Sequence, residues 1–186
     1  MSLILLRHAQ PKSFSGPWIQ PHPNPLSNEG VEQAEKFSNS IRDKNIEVIY
    51  SSPYTRALQT AKIIGNNLGL KVNVKDNLKE RDQGDLENQS LPETKINELW
   101  KKFDEFKTLS EKEQWKTTPF AGFESDGKLL ERALNCLSEI SQENSEKVTL
   151  IVTHASLIKV LLIHFRKVKL EERDSFKIKE LDFFEI

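Results

Sequence analysis

Leu3-Ile4-Leu5-Leu6-Arg7-His8-Ala9-Gln10 decides how the rest of the chain is read, because a short apolar run ends abruptly in a guanidinium, an imidazole and a small residue. The run is too short for a helix face and too apolar for an exposed strand. It therefore reads as a buried strand that delivers Arg7 and His8 at its carboxyl end. Ligands of open α/β sheets bind at that end. A lone histidine is usually a satisfied structural residue, so the reading depends on other segments bringing complementary groups to the same place.

Working outward, Val148-Thr149-Leu150-Ile151-Val152-Thr153 repeats the pattern, ending in His154-Ala155-Ser156 before an apolar helix over Leu157 to Phe165 that contains His164. Ile46 to Tyr50 is β-rich and leads through Ser51-Ser52-Pro53 into a helix with Leu58, Ala61, Ile64 and Leu68 inward and Gly69 closing it. Arg56 falls in its first turn, again just past a strand. Lys71 to Val74 alternates as a short strand before the loop-like Leu78 to Leu86, which carries Glu80, Asp82 and Asp85. Ser27 can cap a helix with Val31, Ala34, Phe37 and Ile41 at helical spacing. Ser125 to Asn144 is a further helix, with Leu130, Ala133, Leu137 and Ile140 inward. Phe176 to Lys179 alternates like a strand that Leu181 to Ile186 continues or pairs with.

Two stretches stand apart. Pro11 to Pro25 holds repeated prolines and a glycine that exclude a helix or sheet interior, so a long loop follows His8 directly. Long loops in compact domains are often functional. Trp18 and His22 are thus candidates for substrate contact, with Trp18 as a hydrophobic anchor an equal alternative. Leu91 to Pro119 turns helical, with Ile96, Leu99, Phe103 and Phe106 on one face and a capping box at Ser110 to Glu113. This segment is expected to be an insertion, around residues 89–122, able to cover a pocket; packing is the expected role of most of Trp100, Phe103, Phe106 and Trp115.

The 186 residues suit a single domain over 1–186, and neither a repeat nor an interdomain linker is visible. Net charge of -1 leaves no global field to attract nucleic acid or an anionic membrane, so any affinity for phosphate must be local. Mean hydropathy of -0.56 leaves no room for an extended apolar span. The apolar start lacks a basic leader and a small-residue cleavage site and reads as the first strand, not as a signal peptide. The one cysteine, Cys136, has apolar neighbours and cannot form an intramolecular disulfide, which fits a cytoplasmic setting. His8, His22, His154 and His164 offer no close metal-ligand spacing, so no metal is expected.

Two imidazoles and two guanidiniums at separate strand ends suit phosphoryl transfer. Arginine forks neutralise the nonbridging oxygens of a phosphomonoester, helix N-terminal amides supplement them, and a neutral histidine can attack phosphorus. The leaving oxygen needs a proton. Glu80 is the first choice as acid, with Asp82 and Asp85 as competitors.

Leu6-Arg7-His8-Ala9, the run Pro25 to Ala34, the run Ser51 to Ala61, Leu78-Lys79-Glu80-Arg81 with Gly84, and Val152-Thr153-His154-Ala155 together resemble the ordered motifs of the histidine phosphatase superfamily, which includes the cofactor-dependent phosphoglycerate mutases. The resemblance spans most of the chain. It implies a three-layer α/β sandwich with a mixed, mainly parallel central sheet, helices on both faces, the helical insertion near the pocket, and neither a metal nor an organic cofactor. It also implies that His8 becomes a transient phosphohistidine, that Arg7, Arg56 and His154 grip the phosphoryl oxygens, and that Glu80 is the proton donor which later activates water. Gln10 and Trp18 are the further substrate-binding candidates.

This chain departs from the family pattern in carrying Ala9 and Ala155 where glycine usually follows each histidine. Gln10-Pro11-Lys12 also replaces the usual acidic or threonine-bearing run. A small phosphorylated metabolite hydrolysed without metal is the leading expectation. A mutase is the second, and a catalytically silent phosphate-binding or regulatory module the third; the oligomeric state is left open.

Overall fold

Five strands hydrogen-bond in the order β3-β2-β4-β1-β5 in the computed structural model, which describes residues 2–12, 23–87 and 91–186. β1 (Ser2–Arg7), β2 (Val48–Ser51), β3 (Val72–Val74) and β4 (Val148–Thr153) are parallel, and β5 (Phe183–Glu185) runs antiparallel along the edge beside β1. The two apolar runs singled out in the sequence are thus neighbours at the sheet centre. They are mainly apolar, without alternation, because both of their faces are covered.

The pleat sorts β1 between two cores. Leu3 and Leu5 meet Leu129, Ala133, Leu137 and Ile140 of α5 (Asp126–Glu143) and Leu157, Ile158 and Leu161 of α6 (Ala155–His164). Ile4 and Leu6 point the other way, to Ala57, Ala61 and Ile64 of α2 (Thr55–Leu68), beside which lies α1 (Asn28–Ser40). A period of two on the strand and 3.6 on the helices produces this three-layer sandwich. Leu129, fully buried, leads the inward stripe of α5, whereas Leu130 is only partly buried at the core edge.

α3 (Glu93–Lys107) and α4 (Glu111–Lys116) lie within the expected insertion, and the Ser110–Glu113 capping box is formed. The alternation at Phe176 to Lys179 does not make a strand. Asp182 instead accepts from the Lys179 amide at 2.6 Å, Leu181 takes a left-handed φ of 62°, and the chain turns sharply before β5. That turn hooks onto the end of β1 through Arg7 N to Asp182 O at 3.1 Å and Leu181 N to Arg7 O at 3.2 Å.

The segment after His8 is stitched to the start of α1. Ser27 caps that helix by accepting from Gly30 N at 2.9 Å, and its own amide donates to Gln10 O at 3.1 Å. Pro11 pairs with Leu26, and Lys12 N reaches Pro25 O at 2.7 Å, which brings the described ends of the proline-rich stretch side by side. Trp18 and His22 lie outside the described residues, as does the Asp85 side chain. Gly30 is required here by close approach: a Cβ would stand 2.1 Å from Gln10 O. Gly30→Ala is expected to lower unfolding free energy by about 1–3 kcal/mol, because backbone must move to admit the methyl. Urea denaturation checks this, and an unchanged midpoint would show that the Gln10 carbonyl yields freely.

Candidate active site

Register brings the site together. Arg7 lies opposite Thr153 in the β1–β4 ladder, and the pairing continues one residue further through His8 N to Thr153 O at 3.1 Å. The two histidines that follow these strands therefore emerge side by side, with ring centroids 5.2 Å apart. On the other flank of β4, Ser51 pairs with Val152 and Ser52 N donates to Val152 O at 3.0 Å. Ser52 Oγ thereby sits 2.8 Å from His154 Nε2. Three adjacent carboxyl ends converge on one spot, and the sequence spacing of their residues is irrelevant to it.

His8 is 2% exposed and His154 is fully buried. His8 Nδ1 lies 2.8 Å from its neighbour's carbonyl, Ala9 O, which suits a protonated Nδ1. Nε2 is then the nitrogen with a free lone pair, and Arg56 Nε donates to it at 3.1 Å. Burial, the Arg56 guanidinium and the Arg7 charge together hold the His8 imidazole well below its ordinary value of 6.5, against the opposing pull of the Ala9 carbonyl. The ring is neutral and carries its lone pair toward the cations.

Arg56 is itself 2% exposed, placed in the first turn of α2, and burial pushes its guanidinium down to about 10. Its Nη1 is buried with no hydrogen-bond partner among the described residues. The ring of Tyr54 stands over this guanidinium at 5.4 Å and edge-on to His154 at 5.3 Å, and burial raises its hydroxyl to about 12. Arg7 reaches the same cavity. One of its nitrogens donates to Ile178 O, another pairs with Glu180 at 2.9 Å, and its buried Nε has no partner among the described residues.

Glu80 accepts from Arg81 N at 2.8 Å and, through its other oxygen, from Ser156 N at 3.3 Å in the first turn of α6. Its backbone is held by groups that sequence reasoning did not find. Thr153 Oγ1 donates to Leu78 O at 2.7 Å, and Arg132 of α5 donates to the carbonyls of Asn77, Lys79 and Glu80 at 2.7, 2.9 and 3.0 Å. Arg132 also grips Glu124 side-on, Nε and Nη2 of one guanidinium edge donating to its two oxygens at 2.7 and 2.9 Å. Nothing in the sequence distinguishes Arg132 from any other arginine on a helix. Asp82 is engaged elsewhere, its Oδ1 accepting from Gly84 N at 2.7 Å.

These groups open on a cavity of about 450 Å³ lined by Arg7, Arg56 and Glu80 at one end, with Tyr54 and Glu87 nearby. His8 and His154 are buried and are not themselves among its lining residues, but Arg56, which meets His8, and Ala155, which follows His154, are; Gln10 is outside the lining too, its carbonyl committed to Ser27. Trp100, Phe103 and Phe106 of α3, with Phe123, form an apolar wall. The aromatic residues of the insertion thus face the cavity, while Trp115 packs against the core between the sheet and α5. No three His, Cys, Asp or Glu side chains among the described residues converge as a metal cage would require. No helix among them is long and apolar enough to cross a membrane.

Comparison with known proteins shows the family to which the chain belongs. The chain is 30% identical over 138 residues to the Uncharacterized phosphatase PhoE of Bacillus subtilis, which covers 74% of this chain and 63% of that protein, so the match spans less than two thirds of the relative. It is 29% identical to Phosphoglycerate mutase-like protein 4 of Arabidopsis thaliana, over 86% of this chain and 68% of the other. Among solved structures, a mycobacterial glucosyl-3-phosphoglycerate phosphatase superposes with a TM-score of 0.78 at 23% identity, covering 99% of this chain and 88% of its own. A phosphoserine phosphatase of Entamoeba histolytica in complex with 3-phosphoglyceric acid gives 0.72 at 21%, covering 99% and 89%. At those identities the structural likeness is one of fold. The model of the histidine phosphatase superfamily, branch 1, matches residues 3–185, and the chain belongs to that superfamily.

Proposed function

We propose that this chain is a metal-independent phosphomonoesterase that works through a phosphohistidine on His8, acting on a small phosphorylated metabolite. The observation that carries the reading is the orientation of His8: Nδ1 is turned to Ala9 O, and Nε2 faces the Arg56 guanidinium at the charged end of the cavity. A buried neutral imidazole beside buried cations is arranged for an anionic electrophile. The phosphatases among the similar proteins support the same class of chemistry.

In the first half-reaction His8 Nε2 attacks phosphorus, an N–P bond forms, and the P–O bond to the alcohol breaks. Glu80 in its protonated form gives its proton to the departing oxygen. Arg7, Arg56 and His154 hold the nonbridging oxygens; Arg56 contributes the Nη1 that has no partner among the described residues and transfers its Nε from His8 to the phosphoryl group. In the second half-reaction the Glu80 carboxylate takes a proton from water as the oxygen attacks phosphorus. The N–P bond breaks, inorganic phosphate leaves, and both residues return to their starting forms. Hydrolysis of phosphomonoesters is among the slowest uncatalysed reactions, so electrostatic stabilisation has a large barrier to remove.

The same reading takes residues 1–186 as one domain, with the insertion around 89–122 roofing the cavity. It places the protein in the cytoplasm, where buried Cys136, its thiol pushed up to about 11 by burial, stays reduced and inert. Gln10 and Trp18 remain proposed substrate contacts.

His8→Ala is expected to abolish phosphate release and acid-labile labelling of the protein in the presence of EDTA. Glu80→Gln should cut turnover of alkyl phosphates by about 10²–10⁴-fold while largely sparing activated aryl phosphates, whose leaving groups need no proton. Equal loss on both ester types would remove Glu80 from the acid role. Isomerised phosphoglycerate without net phosphate release would replace hydrolysis by mutase chemistry.

Stability carries a second signature of the neutral nucleophile. The folded imidazole of His8 resists protonation and the unfolded one does not, so the unfolded chain binds more protons just below pH 6.5. The His8 contribution to stability is therefore complete above pH 6.5 and is lost as pH falls toward the lower folded value. Thermal denaturation between pH 7.5 and 5.5 should show the wild type losing stability more steeply than His8→Ala. Equal slopes would show that His8 protonates as readily folded as unfolded.

A further inference from the structure

The cavity extends past the reacting centre and carries positive charge there that a phosphoryl group at His8 does not use. α6 turns Ala155, Ser156, Lys159 and Val160 into the cavity, all on one helical face. Lys159 consequently stands just under one helical turn, about 4.5 Å of rise, beyond the residue, Ser156, whose amide meets Glu80. Lys177 joins it from the segment that precedes β5.

The partners of these two lysines differ in kind from those of the arginines around them. Lys159 Nζ donates to Arg173 O at 2.8 Å, and Lys177 Nζ donates to Asp174 O at 2.9 Å; both acceptors are main-chain carbonyls. Neither ammonium has a carboxylate within ion-pairing distance among the described residues. Arg81 and Arg173, by contrast, share the buried carboxylate of Asp126, and Arg173 also pairs with Asp174 at 3.1 Å. The acids nearby are thus committed to guanidiniums. Burial, with Lys177 as the next cause, pulls the Lys159 ammonium below its ordinary value, and Asp174 only partly opposes this. A part-buried ammonium beside a second one, with no counter-ion of its own, is costly unless an anion occupies the space between them.

We propose that Lys159 and Lys177 form a second anion site, and that the substrate is a phosphomonoester bearing a further anionic group, a carboxylate or a second phosphate. A spacer of about one helical turn separates that group from the ester phosphorus, and its apolar face rests on Trp100, Phe103 and Phe106. This specificity rests on the phosphatase reading for its turnover, although the binding it implies does not.

The test compares phenyl phosphate, 4-carboxyphenyl phosphate and 1,4-phenylene bisphosphate in wild type, Lys159→Met and Lys177→Met. Wild type is expected to favour at least one of the doubly anionic esters about tenfold in kcat/KM, mainly through KM, with the better of the two identifying the second group. Each methionine variant should lose most of that preference while changing phenyl phosphate turnover less than twofold. Exposed Lys177 tolerates replacement without a folding penalty, so its variant keeps the test open if Lys159→Met is unstable. Calorimetric binding of the same three esters to His8→Ala, with and without each lysine substitution, separates the two claims. A tenfold binding preference that depends on the lysines, without turnover in wild type, would sink the phosphatase reading and leave the anion site standing. Turnover or binding without a preference, or a preference indifferent to both substitutions, would overturn the anion site alone.

Discussion

The register of one parallel strand pair governs this site. With Arg7 opposite Thr153, the residues that follow, His8 and His154, must leave the sheet beside each other, roughly one strand spacing apart. A slip of one residue would exchange the inward and outward faces of β1, placing Leu3 and Leu5 where Ile4 and Leu6 belong. The hydrophobic alternation between two cores thus enforces the register, and the register fixes the chemistry. Packing of four aliphatic side chains determines the separation of two imidazoles they do not touch.

Such an arrangement is costly to fold. His8, His154 and Arg56 are all nearly or completely removed from water, and buried polar groups are destabilising unless they find partners. The partners are local and economical: Ala9 O and Arg56 for His8, Ser52 for His154, the ring of Tyr54 over Arg56. The chain leaves His8 uncharged and the Nη1 of Arg56 without a partner among the described residues, the arrangement on which the proposed phosphoryl transfer relies. Around them, Thr153 and Arg132 tie down the backbone that presents Glu80, so this carboxylate is fixed by strand β4 and helix α5 although it sits in a loop.

How much of this was legible in the sequence follows from the range of the interactions. The central strands announced themselves, because a strand buried on both faces must be apolar without alternation, and the motifs at their ends carried the family resemblance. Ser52, Tyr54 and Arg132 were not singled out, because each acts through a contact far away in sequence that no local pattern records. The alternation at Phe176 to Lys179 misled for a related reason. Period-two apolarity also arises where a loop lays Phe176 and Ile178 on the core, and the turn chemistry at Asp182 outweighed it. The insertion was readable as helical from its period, but which aromatic residues would face a cavity depends on how α3 is rotated against the body.

The ion pair between Arg7 and Glu180 joins the sheet edge to the end of the cavity lined by Arg7, Arg56 and Glu80. β5 is the last strand on that side, and its hook, through Ile178, Glu180, Leu181 and Asp182, closes around the same residue whose guanidinium lines the cavity. In the proposed reaction a phosphoryl group at Arg7 would compete with Glu180 for that cation, which would link filling of the cavity to slackening of the edge strand. On the proposed reading, the edge of the sheet, remote from His8 in chain order, is a tether that an anion reaching Arg7 would have to loosen.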